Sequence, residues 1–585
     1  MIHYFVVFLF LLSGWASAQN PITVEELHNH LSYIASDEMK GRKPGTPEAR
    51  QVAGYIEQAF QSYGLTPLGD NGFQYFEVVT SVKMGDNNAF AIGDKTYKVE
   101  EDFIPLSFSA NATASGQAVF AGYGFHIEND SLQWNDFKDI DVKNKWVLIL
   151  MGDPENDPHG GRFYKHSKLR RKTLLAADAG AAGVLFVAGP DYDDTDKLMA
   201  LHFDQSKSGS AIPVIQIKRT VADALLRGSG KTIAGLEATI RKRMGPAGFA
   251  IQENIQASVD LKQVKVRTQN VVAVLKGREL PDEYVVVGAH YDHLGFGGWG
   301  SGSRAPDVHE VHNGADDNGS GTVSLLELAQ YFATAPVKPR RSILFMAFGA
   351  EEMGLLGSKF FTAHPLIDLK NIRIMLNMDM VGRLNPESKT LTVGGTGTAA
   401  GLEETLKKLA EEKAFKIKTS PEGFGPSDHA SFYVKDIPVV FLFTGTHEDY
   451  HKPSDDVDKI NFEGMKAVDD YAAAIIEHEA NDTTPLTFQE AGPKEEQRVA
   501  RFKVTLGVIP DYASDVKGLR LDGVREGGVA ARAGLKKGDI IVGMDKKAVN
   551  NIYDYMNRLA DIKRGQEVDI EVLRENERLH FKAKF

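Results

Sequence analysis

The sequence predicts an α/β protein: a mixed sheet flanked by helices, joined to two β-rich modules. Three observations carry that expectation. Near-continuous apolar runs at 270–275, 284–288, 343–348, 372–376 and 439–443 alternate with helical patterns, as in a sheet covered on both faces. Residues 106–245 have another texture, with short apolar strands at 118–121, 146–150, 183–187 and 212–217. Residues 498–585 make a third, compact pattern of glycine turns and short strands. A length of 585 residues with 42% hydrophobic and 25% charged side chains suits several globular domains. The net charge of −12 argues against a nucleic-acid partner, whose phosphates need a basic surface. Cysteine is absent, which excludes disulfides, thiolate metal sites and a cysteine nucleophile. Any metal site must therefore be built from His, Asp and Glu.

Residues 1–12 are an apolar run too short to span a bilayer, followed by the small-residue pattern Ala16-Ser17-Ala18. Residues 1–18 read as a signal peptide cleaved near Ala18, and the protein as exported, periplasmic or secreted. No later stretch is long and apolar enough for a membrane span. Thr23 caps a helix in which Leu27, Leu31 and Ile34 recur at helical spacing. The run 41–45 breaks it, and a second helix passes through Val52, Ile56 and Phe60 to Gly64. In 106–245 a helix is expected over 168–179. Ala121-Gly-Tyr-Gly-Phe125, Lys172 and Ala181-Ala-Gly-Val-Leu-Phe186 resemble a protease-associated domain. In 246–480 helices are expected at 321–332 and 399–412. Residues 481–497 are polar and hold two prolines, so they read as a linker. Beyond it, Leu506-Gly507-Val508, Val529-Ala-Ala-Arg-Ala-Gly-Leu535 and Lys537-Gly-Asp-Ile-Ile-Val-Gly543 resemble a PDZ domain of the bacterial protease type, with a helix at 552–559 and a strand at 567–573. That resemblance implies a C-terminal peptide partner, its carboxylate held by backbone N–H groups near Leu506, Gly507 and Val508.

The residues with chemistry recur at the ends of expected strands. His290 and Asp292 follow the strand at 284–288, Glu351 and Glu352 the one at 343–348, Asp379 the one at 372–376, and His451 the one at 439–443. Asp316 and Asp317 stand just before a helix. Loops at the carboxyl ends of strands in an open α/β sheet line one crevice, so these side chains should meet. Individually, each has a structural explanation: a turn for Asp316-Asp317, a first helical turn for Glu351-Glu352. Together they make a set of zinc-type ligands.

Gly288-Ala-His-Tyr-Asp-His293, Asn313-Gly-Ala-Asp-Asp-Asn-Gly-Ser-Gly321, Phe348-Gly-Ala-Glu-Glu-Met-Gly-Leu-Leu-Gly-Ser358, Asn377-Met-Asp-Met380 and Tyr450-His-Lys-Pro-Ser-Asp455 resemble, in order, the motifs of the co-catalytic zinc aminopeptidase family. The resemblance implies a zinc-exopeptidase (phosphorylase/hydrolase-like) fold over 19–105 and 246–480, with 106–245 inserted and 498–585 appended. It implies peptide substrates and two zinc ions per chain: His290 and Asp379 on one, Glu352 and His451 on the other, and Asp316 between them. It further implies Glu351 as general base and a cis peptide between Asp316 and Asp317. Asp292, two residues past His290 on an extended strand, is expected to accept the other imidazole N–H. Asp317 and the run Ser427-Asp428-His429 are placed around these ligands or near the substrate. His447-Glu-Asp-Tyr-His451 also spells H-E-x-x-H, but Pro453 denies it the required helix, and His447 is expected to be an exposed loop residue. Two alternatives remain open. A carboxypeptidase of this fold would need a cation for the substrate carboxylate, and Arg304 and Arg383 are near the motifs. A non-enzymatic receptor or scaffold would use the two interaction modules, but has little reason to keep every ligand and Glu351.

Overall fold

A computed structural model describes residues 19–129, 132–156, 162–201, 203, 209–298, 300–413, 416–492, 494, 504–510, 516–524, 528–550, 552–563, 565–575 and 577–585. Residues 1–18, expected to be a signal peptide, lie outside the described residues. The chain divides into two compact units, 1–78 with 267–496, and 79–266 with 497–585.

The first unit is built on a nine-stranded mixed sheet. Its centre is a parallel set: Arg341–Phe348, Leu280–His290, Ile372–Met378 and Val439–Phe443, side by side in that order. Leu261–Leu275 flanks this set antiparallel on one side and Thr390–Gly394 on the other. Period-two alternation divides each central strand between two cores. Val285, Val287, Ala289, Ile343, Phe345 and Ala347 pack under the helices Val24–Ile34, Pro47–Ser62, Gly321–Thr334 and Phe462–Asn481. Val286, Leu344, Met346 and Phe348 pack with Phe361 and Phe432 from the helices Leu356–Ala363 and His429–Tyr433. Both faces are covered, which is why the strands read as unbroken apolar runs. The first two helices form as expected. Thr23 accepts the N–H of Glu26 at 3.1 Å, and Thr46 accepts that of Ala49 at 3.2 Å. The helix expected at 399–412 begins later, as Leu402–Glu412.

The inserted sheet reaches further than 106–245. Its eight strands include Ala89–Ile92, Lys95–Tyr97 and Phe103–Pro105 before that stretch and Phe249–Ser258 after it. Phe249–Ser258 pairs with Thr113–Phe120 and with Ala89–Ile92, so it belongs to the insert rather than to the main sheet. Lys172, on the helix Leu169–Asp178, is fully buried and donates to the carbonyls of Leu150 at 2.8 Å and Gly152 at 2.6 Å. Burial lowers it to about 7 against the pull of Asp136 and Asp153. The last module holds a six-stranded sheet with helices Val529–Ala533 and Ile552–Asp561. Among the described residues no helix is long and apolar enough to cross a membrane.

Candidate metal centre

The parallel register sets the site. His290 ends its strand level with Phe348, and Gly288 is level with Asn377. Three adjacent strands therefore stop together, and the loops after them bring His290, Glu351 with Glu352, and Asp379 to one place. The fourth strand, where Met378 is level with Leu442, carries the loop that returns as His451.

The loop before the helix Gly321–Thr334 supplies the carboxylate they surround, and it is Asp317, not Asp316. His290 Nε2 is 3.5 Å from Asp317 Oδ1 and 3.5 Å from Asp379 Oδ1. His451 Nε2 is 3.1 Å from Asp317 Oδ2 and 3.2 Å from Glu352 Oε2. The two oxygens of Asp317 thus face two different donor groups. Asp316 points away. Its Oδ1 accepts the N–H of Gly382 at 2.7 Å and the hydroxyl of Ser320 at 3.0 Å, and its Oδ2 faces His447 Nε2 at 3.1 Å. The cis peptide is likewise one residue later than expected, between Asp317 and Asn318. Its neighbours are tied down: Asp455 accepts the N–H of Asp316 at 3.1 Å and of Asp317 at 3.0 Å.

These donors suit zinc. Both histidines use Nδ1 to donate to a backbone carbonyl, His290 to Asp292 at 3.2 Å and His451 to Gly302 at 2.9 Å. In the neutral imidazole, Nε2 is then the nitrogen with the lone pair, directed at the carboxylates, as a metal ligand needs. His290 Nε2 and Asp379 Oδ1 are buried and make no hydrogen bond among the described residues. The imidazole–carboxylate separations match the roughly 3.3 Å between ligands on a tetrahedral zinc with bonds of about 2.0–2.1 Å. The charge points the same way. Burial works against protonation of His290, yet Glu351, Asp379 and Asp317 outweigh it and hold it well above its ordinary value. His451 is opposed by burial too, and Asp317 and Glu352 raise it to about 11. A pocket so acidic calls for cations.

Asp292 has a different task from the one expected. Its carboxylate is 3.8 Å from His290 Nδ1, too long for a hydrogen bond. It accepts instead the N–H of Glu351 at 2.9 Å and of Glu352 at 3.4 Å. Asp292 therefore shapes the turn on which both glutamates sit. Glu351 Oε2 is 3.7 Å from His290 Nε2, beside the first donor group. Burial, with Glu352, Asp428 and Asp379, pushes Glu351 well above the usual carboxylate range against His290.

Ser427 accepts from the Asn377 amide at 2.8 Å and is buried. Asp428 is buried and raised to about 6, first by that burial. His429 joins neither donor group. Its ring stacks on Phe441 at 4.4 Å, and burial lowers it to about 3. His447 is not an exposed loop residue; it is half-buried against Asp316, and residues 444–451 form no helix. Arg383 is paired with Asp449 at 2.7 Å, while Arg304 lies over the ring of Tyr450 at 4.6 Å. In the last module Leu506 and Val508 are buried, and the Gly507 N–H already donates to Thr505 Oγ1 at 3.1 Å.

Two further residues brace the site, though no role for either is legible in the sequence. Arg42 is fully buried and donates to the carbonyls of Tyr291 at 2.7 Å, Asn313 at 2.5 Å, Gly314 at 3.0 Å and Ile34 at 3.2 Å. It clamps the two loops that carry His290 and Asp317. Gly41 beside it has φ +64°, and a Cβ there would come within 2.4 Å of the His312 carbonyl oxygen, so only glycine fits. The second residue is His293, whose Nδ1 is 2.7 Å from Glu352 Oε1.

Comparison with known proteins finds the model of peptidase family M28 over residues 270–476, of the PA domain over 109–225 and of the PDZ domain over 504–585. A protein named Aminopeptidase YwaD from Bacillus subtilis (strain 168) is 28% identical over 391 residues, covering 64% of this chain and 72% of that protein. A protein named Aminopeptidase from Pseudomonas aeruginosa (strain UCBPP-PA14) is 25% identical over 522 residues, covering 83% of this chain and 86% of that protein. A probable zinc metalloprotease of Pyrenophora teres f. teres (strain 0-1) is 39% identical over 125 residues, 21% of this chain and 25% of that protein.

Proposed function

We infer that this chain, which carries a peptidase family M28 domain together with a PA domain and a PDZ domain, is a zinc metallopeptidase that acts as an aminopeptidase. One observation carries the reading: two groups of donors that share the buried Asp317, with Glu351 beside them. In this reading two zinc ions are held, one by His290, Asp379 and Asp317, the other by Glu352, His451 and Asp317. When bound, they supply the Lewis acidity that makes a water nucleophilic at neutral pH and polarises the scissile carbonyl.

The chain's own residues do the rest. Glu351 is the general base: it takes the proton from the attacking water and hands it to the departing amine. Asp292, through the N–H groups of Glu351 and Glu352, keeps the base and the neighbouring ligand in register. Burial of His290, Asp317 and Asp292 keeps bulk water from competing for these groups. The acidic lining also favours a substrate that brings a positive charge, as a free N-terminal ammonium does. Pairing of Arg383 with Asp449 takes one of the two nearby cations out of contention for a substrate carboxylate, which favours amino- over carboxypeptidase action.

Export is part of the reading, supported by the apolar run at 1–12 and Ala16-Ser17-Ala18. The PDZ domain is read as a site for peptide C-termini at the strand Val508–Pro510. The test is a substrate pair. Zinc-reconstituted protein should cleave an aminoacyl p-nitroanilide and leave its N-acetylated form intact. Equal cleavage of both, or cleavage only of substrates with a free C-terminal carboxylate, would overturn the aminopeptidase reading.

A further inference from the structure

Among the described residues, one buried imidazole outside the ligand sets lies directly against a residue of those sets. His293 is 1% exposed and lies three residues past His290. Its ring is held in place by the chain around it. Gly314 has φ +55°, and a Cβ there would come within 2.5 Å of His293 Cδ2, so the ring occupies the space that a side chain at 314 would need. The backbone N–H of His293 is directed to the Arg42 carbonyl at 3.4 Å.

The His293 ring meets only one oxygen of Glu352. Nδ1 is 2.7 Å from Oε1, and an ionised carboxylate only accepts, so Nδ1 carries the proton. The other oxygen, Oε2, is 3.2 Å from His451 Nε2. Glu352 thus spends one oxygen on His293 and turns the other toward the donors it shares with His451 and Asp317. An unpinned carboxylate rotates about its last bond and can offer either oxygen or both. We propose that His293 is a positioning residue, its Nδ1–H fixing Glu352 Oε1 so that Oε2 alone is presented to the second zinc. The proposal rests on the two-zinc reading above. His293 Nε2 is buried and makes no hydrogen bond among the described residues, so a direct ligand role for it is the competing outcome.

Asparagine separates the two. Its side-chain amide reaches the place of Nδ1 but has nothing at Nε2. The full-length wild type and the variants His293→Asn, His293→Ala and His293→Gln are stripped and titrated with zinc against a competing chelator, with thermal melts to check the fold. The proposal expects His293→Ala to weaken the second zinc by about 10–100-fold, as loss of an outer partner does, and His293→Asn to bind close to wild type. His293→Asn losing the second zinc as fully as His293→Ala would overturn it in favour of a ligand role. Unchanged affinity in His293→Ala would also overturn it. Should His293→Ala not fold, His293→Asn is compared with His293→Gln, whose amide reaches the place of Nε2. The proposal expects Asn tight and Gln weak, and equal affinities would overturn it. A wild type that binds one zinc only would instead overturn the two-zinc reading, a distinct result.

Discussion

Replacing Asp292 with asparagine tests how the catalytic turn is held. The carboxylate accepts from the N–H of Glu351 at 2.9 Å and of Glu352 at 3.4 Å. Asparagine keeps one oxygen and sets an NH₂ group against the other N–H. One charge-assisted hydrogen bond is lost, worth about 1.5–3 kcal/mol. If that energy is what holds Glu351 in place for proton transfer, the rate falls by the same amount. At about 1.36 kcal/mol per factor of ten, the loss is roughly 10–150-fold in kcat/KM. The Nδ1–H of His290 is held by a backbone carbonyl, which the substitution leaves in place, so His290 remains a ligand and zinc content at saturating zinc should be unchanged. The assay is hydrolysis of an aminoacyl p-nitroanilide beside zinc analysis of the same sample. A fully zinc-loaded Asp292→Asn enzyme with wild-type kcat/KM would refute the argument. Loss of the zinc held by His290 would restore the tautomer-fixing role and refute it in the other direction.

Two further predictions concern neighbours of the site and the core. Asp317→Asn should lose zinc and activity together, whereas Asp316→Asn should keep its zinc and lose about 1–3 kcal/mol of stability, because it breaks buried bonds to Gly382, Ser320 and His447; zinc analysis with thermal melts decides between them. Glu327, buried between helices with His30 at 3.5 Å, is raised to about 8 by burial and by Glu26. The unfolded chain ionises this group near 4.5 while the folded protein keeps it protonated, so its contribution to stability is intact below about 4.5 and lost as pH rises through 8, by up to about 5 kcal/mol. Glu327→Gln should flatten that part of the stability–pH profile, and a profile no flatter than wild type in chemical denaturation from pH 5 to 9 would contradict it.

The site residues that follow apolar strands are legible because the strand itself marks where the chain emerges into the crevice. His290, Glu351, Glu352 and Asp379 are all of this kind. Asp317 was confused with Asp316 because neighbouring loop residues point in different directions, and the choice depends on backbone angles that composition does not encode. The roles of Arg42, Asp455 and His293 are not legible for another reason. Their partners lie far along the chain, as when Arg42 meets Asn313 and Gly314, and no local periodicity reports such a contact. His447 was misjudged in the same way, since Asp316 is 131 positions away. The edges of the insert were blurred because Phe249–Ser258 alternates like any half-buried strand, and only its pairing with Thr113–Phe120 says which sheet it joins.

The central claim is that two adjacent glutamates have separate tasks, Glu351 moving the proton and Glu352 holding metal. The direct measurement is zinc stoichiometry beside kcat for Glu351→Gln and Glu352→Gln, each prepared at the same free zinc. The account predicts that Glu351→Gln keeps the zinc content of the wild type while kcat falls by at least about 10²–10⁴-fold. It predicts that Glu352→Gln loses metal along with activity. A metal-depleted Glu351→Gln beside a fully loaded Glu352→Gln would contradict the assignment, and full activity in both would contradict the hydrolase itself.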